Sequence, residues 1–229
     1  TEVRVKVKRG ENPDLMEYRI IRGKIPMYSL DAAYMADKHT GYIKLNRFAA
    51  SSANEFREAL EKLRTEGLKN LILDLQGNGG GYLNIAIELA DEFLEKQRLI
   101  VYTKGSKQAR EEAHSTSRGQ FQEGRLVILV DESSASASEI VTGAVQDWDR
   151  GVVVGRRTFG KGLVQKPIPL PDGSMIRLTV SRYYTPTGRC IQKPYEQGNL
   201  EAYRHDLIDR YNRGELMTAD SSHFPDSMK

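Results

Sequence analysis

A chain of 229 residues with 39% hydrophobic and 28% charged residues can bury a sizeable core and is too apolar to remain disordered. Its formal net charge of +3 is spread among interleaved opposite charges, which argues against nucleic acid as a partner, and no apolar run approaches the roughly 20 residues of a membrane span. Cys190 is the only cysteine, so no intrachain disulfide can form.

Val3, Val5 and Val7, then Tyr18 and Ile20, alternate like the two strands of a hairpin around the turn GENPD. Residues 1–27 are too few to fold alone. Gly41–Phe48 (GYIKLNRF) is predicted to be a strand and Ser52–Arg64 a helix. Ser52 and Glu55 have capping-box spacing, Phe56, Leu60 and Leu63 share one face, and Gly67 supplies the stop. Leu71–Leu75 is an apolar strand, QGNGGG a glycine turn, and Leu83–Lys96 a helix. Leu99–Thr103 is the next strand, and residues 105–124 form a polar, irregular segment expected as a mobile loop over a site. Strand Leu126–Val130, helix 137–148 and strand Val152–Val154 follow. Leu163–Leu170 and Met175–Tyr183 flank PDGS as a hairpin. Ala202–Arg213 is expected as a surface helix, with a loosely held tail to Lys229. Strand and helix alternate through the middle of the chain, which predicts an α/β core with parallel strands.

Three places carry candidate chemistry. Ser133, Ser134, Ser136 and Ser138 lie between a strand end and a helix start. There, free N–H groups and the positive helix end favour a developing oxyanion. The same serines suit simple helix capping, and position alone does not choose among their hydroxyls. Lys161 in GRRTFGKG follows Ser136 by 25 residues, with Gln165 four further on. No histidine lies in that stretch, so a desolvated lysine is the candidate base. The pattern G-x-x-x-x-G-K also suggests a phosphate loop, but Gly162 stands where the magnesium-binding hydroxyl belongs and LVQKPIPL is no helix. The glycines of Gln76–Gly81 can aim backbone N–H groups at an anion, and match G-x-G-x-x-G only in part. His39, ahead of a strand, is the one histidine kept as an alternative base; His114 and His223 read as solvated. Asp131, Glu139, Asp147 and Asp149 suit caps, surface and salt bridges better than paired acid/base work.

Together, LILDLQGNGGG, LVDESSASASEIVTGAVQDWDRGVVVGRRTFGKGLVQ and DGSMIRLTVSRYYTPTGRCIQ resemble the C-terminal processing peptidases, or tail-specific proteases. The resemblance runs from about Thr1 to Tyr195 and has three long motifs in family order. It implies an α/β fold of the Clp protease/crotonase type with a mixed sheet, and a serine endopeptidase that needs no cofactor. It assigns Ser136 as nucleophile, Lys161 as general base, Gln165 as the residue orienting the lysine, and the backbone of Ala137 and Gly81 as oxyanion hole. Arginine is usual in the family where this chain has Gln76. The implied partners are protein or peptide substrates with accessible C-termini, with a homo-oligomer as a further possibility. The domain division expected is 1–27 as the last strands of a PDZ domain, 28–195 as protease core and 196–229 as a polar C-terminal segment. The implied location is periplasmic or otherwise extracytoplasmic, although TEVRVKVKRG has no signal-peptide pattern. Two rival readings use the same residues: a crotonase-like acyl-thioester enzyme without a serine nucleophile, and a latent or non-catalytic peptide-binding scaffold.

Overall fold

The structure, a computed structural model, describes residues 1–11, 13–23, 27–195 and 200–217. In chain order, its first half holds β1 (Glu2–Val7), β2 (Met16–Ile21), β3 (Leu30–Met35), β4 (Thr40–Leu45), α1 (Ser52–Thr65), β5 (Asn70–Asp74), α2 (Leu83–Asp91) and β6 (Leu99–Lys104). The second half holds β7 (Glu111–His114), β8 (Arg125–Val130), α3 (Ala137–Asp147), β9 (Val152–Gly155), β10 (Leu163–Pro169), β11 (Met175–Tyr184) and α4 (Leu200–Asn212).

The central sheet has the order β3-β4-β5-β8-β9. Its last four strands run parallel, with Gly41 opposite Leu71, Leu71 opposite Leu126 and Ile128 opposite Val153. Strands covered on both faces have few polar positions, which is why LILD and RLVILV read as apolar runs. Leu71, Leu73, Leu126, Ile128 and Val130 are buried with the apolar stripes of α1, α2 and α3 in one core. Each such side chain contributes about 1.5–3 kcal/mol by leaving water. Phe56 of α1 meets Phe93 edge to face at 5.7 Å. Parallel strands also end at a common edge, and the turns after β5 and β8 therefore lie side by side.

Several local expectations are corrected. Ser51, not Ser52, caps α1. Glu55 instead accepts from the Ser29 and Leu30 amides and the Ser29 hydroxyl, so the Ser52/Glu55 box does not form. Gly67 does stop the helix, at φ +101°, with the Leu68 N–H returning to the Leu63 carbonyl. The α2 helix ends at Asp91 rather than Lys96, because Glu92 turns inward to accept from Arg57 and the Gln120 amide. β3 is absent from the sequence reading, since the alanines of LDAAYM dilute its alternation. β6 leaves the parallel set and joins an antiparallel sheet of order β10-β11-β6-β7.

The segment 105–124 is not an irregular loop over the site. It contributes β7. Its remainder is tied down by the Asp91 carboxylate at Thr116 and by Arg150, which donates to the Phe93, Phe121 and Gly124 carbonyls. β1 and β2 form a separate two-stranded sheet. Among the described residues no helix is long and apolar enough to cross a membrane. The expected tail beyond Met217 lies outside the described residues.

Candidate active site

Two turns at the carboxyl edge of the central sheet interlock through buried polar side chains. Asn78 is fully buried. Its amide donates to the Leu45 carbonyl at 2.8 Å and accepts from the Gly80 N–H at 2.9 Å. Its own carbonyl accepts from the Ala135 N–H at 3.0 Å and the Ser138 hydroxyl at 2.9 Å. From the other side, the Asp131 carboxylate accepts from the Gly77, Ser133 and Ser134 amides. Beneath the turn, Asp74 accepts from Tyr42, Lys44 and the Gln76 amide. The glycine turn is thus fixed against the serine turn by bonds from both.

The tertiary structure separates the four serines. Ser134 and Ser138 are buried, and each hydroxyl is spent on a backbone carbonyl, of Leu75 and of Asn78. Ser133 is exposed. Ser136 is half-buried and caps α3 with φ 57° and ψ −111°, a conformation that costs a non-glycine residue about 1–3 kcal/mol. Gly80 packs directly behind it: a Cβ there would lie 2.8 Å from Ser136 Cβ and 2.9 Å from the Ala137 nitrogen. Gly81 forms a parallel bridge with Phe48, using the Gly80 carbonyl and the Tyr82 N–H. That pattern turns the N–H of Gly81 itself away from Phe48. Among the described residues neither the Gly81 nor the Ala137 N–H donates to a protein acceptor.

The link to the lysine is Glu139, one turn into α3. Its buried carboxylate accepts from the Ser136 N–H at 2.7 Å and the Lys161 N–H at 2.8 Å, both on Oε2. The other oxygen accepts from the Gly160 N–H at 2.5 Å and the Thr158 hydroxyl at 2.8 Å. Burial pushes the carboxyl above the usual glutamate range, against the opposing pull of these four donors. The serine turn and the Lys161 loop are therefore held by one side chain. The spacing Ser136-x-x-Glu139 is a capping-box signal that could have marked Glu139 for more than surface duty. Asn78 and Asp131 bond neighbouring amides, but their bonds to Leu45 and Gly77 span long stretches of sequence, and no local pattern announces those.

The Lys161 side chain is exposed, and no hydrogen bond joins it to Ser136 or Gln165 among the described residues. Apolar neighbours do not enclose it, since Phe159, two residues before it, is itself 38% exposed. Gln165 is exposed on β10, opposite Thr179. The segment after Gly162 is a strand, so no helix opens there to hold a phosphate. His39 sits before β4, at the amino edge of the parallel sheet, whereas Ser136 follows the carboxyl end of β8. Parallel strands put those two positions at opposite edges, which removes His39 as a base. His114 is exposed beside Glu112 at 3.4 Å, and His223 lies outside the described residues.

A half-buried serine on a strained turn, at a helix start and beside a glycine turn with a free N–H, is an arrangement that can present a hydroxyl and a backbone donor to one carbonyl group. Residues 39–199 match peptidase family S41, and the chain belongs to that family. It is 37% identical over 194 residues to a "Probable CtpA-like serine protease" of Staphylococcus aureus (strain N315), covering 83% of this chain and 38% of the relative. A protein of the same description from Staphylococcus haemolyticus (strain JCSC1435) is 34% identical over 192 residues, again covering 83% and 38%. The chain thus spans well under half the length of these relatives. Among solved structures, the photosystem II D1 C-terminal processing protease superposes with a TM-score of 0.66 at 29% identity, covering 84% of this chain and 53% of that one. Mature CPAF shares the fold with a TM-score of 0.57 at 14% identity, covering 95% and 69%.

Proposed function

We propose that this chain is the catalytic core of a serine endopeptidase that cleaves proteins near their C-termini through a Ser/Lys dyad. Ser136 Oγ attacks the scissile carbonyl carbon as neutral Lys161 takes the hydroxyl proton. The Gly81 and Ala137 N–H groups hold the oxyanion. As the C–N bond breaks, the Lys161 ammonium protonates the leaving amine. Water, with Lys161 again as base, then hydrolyses the acyl-enzyme. The observation that carries this reading is the single buried carboxylate of Glu139 on which the Ser136 and Lys161 amides converge.

An exposed ammonium is no base, so the amine has to be covered before it can take the serine proton. In this reading a substrate strand adds along a sheet edge, and β10, whose first residue follows Lys161 closely, is the edge at hand. The added strand covers the amine and strips water from it, which disfavours the charged form. Gln165 steadies the amine without adding charge. The β1–β2 hairpin is taken as the end of a PDZ domain that captures substrate C-termini, and the location as extracytoplasmic. The exposure of Lys161 favours a second reading, a chain that is latent or only binds peptide.

Cleavage of an unfolded protein by the wild type, Ser136→Ala and Lys161→Ala decides between them. The dyad predicts activity in the wild type alone, with a rate rising through an apparent pKa well below 10.4. Equal cleavage in all three, or none in any, sinks it. A profile following a group near 6.5 would assign the base to a histidine. Stoichiometric phosphonylation of Ser136 would remove an acyl-thioester enzyme lacking a serine nucleophile.

A further inference from the structure

The loop that carries Lys161 rests on the C-terminal part of the chain, and the contact is built around a buried charge. Arg210 of α4 is 1% exposed. Its guanidinium donates to the Arg157 carbonyl at 2.6 Å and to the Glu215 carboxylate at 2.8 Å. The same carboxylate accepts from Arg157 at 3.0 and 3.2 Å. Glu215 is therefore the anion hydrogen-bonded between the Arg210 and Arg157 guanidiniums, with Arg213 3.8 Å from the same carboxylate and Asp206 of α4 3.9 Å from Arg157. A guanidinium taken out of water is tolerated only when paired and hydrogen-bonded, so α4 keeps its place only with the loop backbone at Arg157 beneath it.

A second set of contacts holds the far side of the loop. The Gln192 side chain accepts from the Gly162 N–H at 3.0 Å, and the Lys193 N–H donates to the Gly160 carbonyl at 2.9 Å. A Cβ on Gly160 would stand 2.7 Å from that of Lys193, and one on Gly162 only 2.3 Å from the Gln192 nitrogen. Both glycines flanking Lys161 are thus required by the chain that follows β11. Lys193 Nζ then reaches Asp206 of α4 at 3.1 Å, closing the bracket.

We infer that Arg157, Arg210 and Glu215 are positioning residues, and that the C-terminal segment sets the place of the Lys161 loop relative to Ser136. This rests on the Ser/Lys reading for its catalytic meaning, while the docking itself does not. Glu215→Gln removes the carboxylate shared by Arg157 and Arg210 and brings their like charges into opposition, with Asp206, 3.9 Å from Arg157, a partial counter-charge. The loop should then lift from α4, and adding Arg210→Met should relieve the repulsion.

The test pairs two measurements on the full chain: amide exchange of residues 156–163, and the phosphonylation rate of Ser136 by a fluorophosphonate. With Glu215→Gln, loop exchange is expected to rise and labelling to fall by about ten-fold or more, with β8 amides unchanged. The Glu215→Gln/Arg210→Met double variant is expected to recover most of both. Unchanged exchange and labelling in Glu215→Gln, or a double variant no better than the single, overturns the inference. If β8 also exchanges faster in Glu215→Gln, the double variant decides, recovery supporting the inference and its absence overturning it. If wild-type Ser136 is never labelled, the peptidase reading fails, and loop exchange alone decides the docking.

Discussion

Ser136 occupies a backbone conformation suited to glycine, and the surrounding bonds enforce it: its N–H is taken by Glu139, and Gly80 closes the space behind its Cβ. Strain of that kind is retained where a side chain is needed. Ser136→Gly is therefore expected to be more stable than Ser136→Ala by about 1 kcal/mol in urea unfolding, although both lack the hydroxyl. Glu139 gives a pH dependence with a definite sign. Burial raises its pKa above the usual glutamate range despite four donors. The stability contributed by this group is then fully present below the ordinary carboxylate range and is lost as pH rises through the raised value. Its bonding runs the other way, since only the ionised form has every lone pair free for the Ser136, Gly160 and Lys161 amides. Ser136 labelling is expected to decline on acidification at a pH above that of an ordinary glutamate. Glu139→Gln should abolish this acid limb and lower the plateau by about ten-fold, the loss of one charge-assisted bond. Urea titrations across pH should show the wild type losing stability relative to Glu139→Gln as pH rises.

At the scale of elements, the site is made where β5 and β8 end side by side and their turns share Asn78 and Asp131. Gly80 is the point of closest approach. A Cβ there would meet the Ala135 carbonyl oxygen at 2.7 Å, at a positive φ of 95°. Gly80→Ala should destabilise the fold by about 1–3 kcal/mol and suppress Ser136 labelling, because the neighbours are backbone atoms that cannot move aside. Gly77→Ala meets nothing within 4 Å and carries only the strain of its φ of 75°. It should cost less and leave labelling nearer wild type. Comparing the two by urea unfolding and labelling separates packing against Ser136 from turn conformation.

At the scale of the whole molecule, one compact core carries the site and the β1–β2 hairpin stands outside it. Val3 and Val5 of β1 pair with Ile20 and Tyr18 of β2, so one face of the hairpin is apolar, and these four side chains are 37–49% exposed. The opposite face carries Glu2, Arg4 and Arg19 in ion pairs. A lone hairpin adds little stability. Removing residues 1–23 should change the unfolding free energy of the rest by less than about 1 kcal/mol, read from the fluorescence of Trp148. Trp148, at the end of α3, reports on the fold because its indole N–H donates to the Leu99 carbonyl at the start of β6.

What the sequence determined by itself was the pattern of elements and the identity of the motifs. The apolar runs of β5 and β8, the stop at Gly67 and the PDGS hairpin are local signals, and periodicity and turn chemistry carry them without tertiary help. Tertiary structure decided what local pattern cannot hold. It moved β6 into the second sheet, because strand pairing is a long-range choice. It turned Glu55 to Ser29 and Leu30 instead of Ser52. Of four similar serines it buried two, exposed one and strained Ser136, and it took His39 to the opposite edge of the sheet. It also joined the Ser136 turn, the Lys161 loop and α4 through Glu139, Arg210 and Glu215. Those contacts are between buried polar groups far apart in sequence, and only the folded chain brings their hydrogen-bonding partners together.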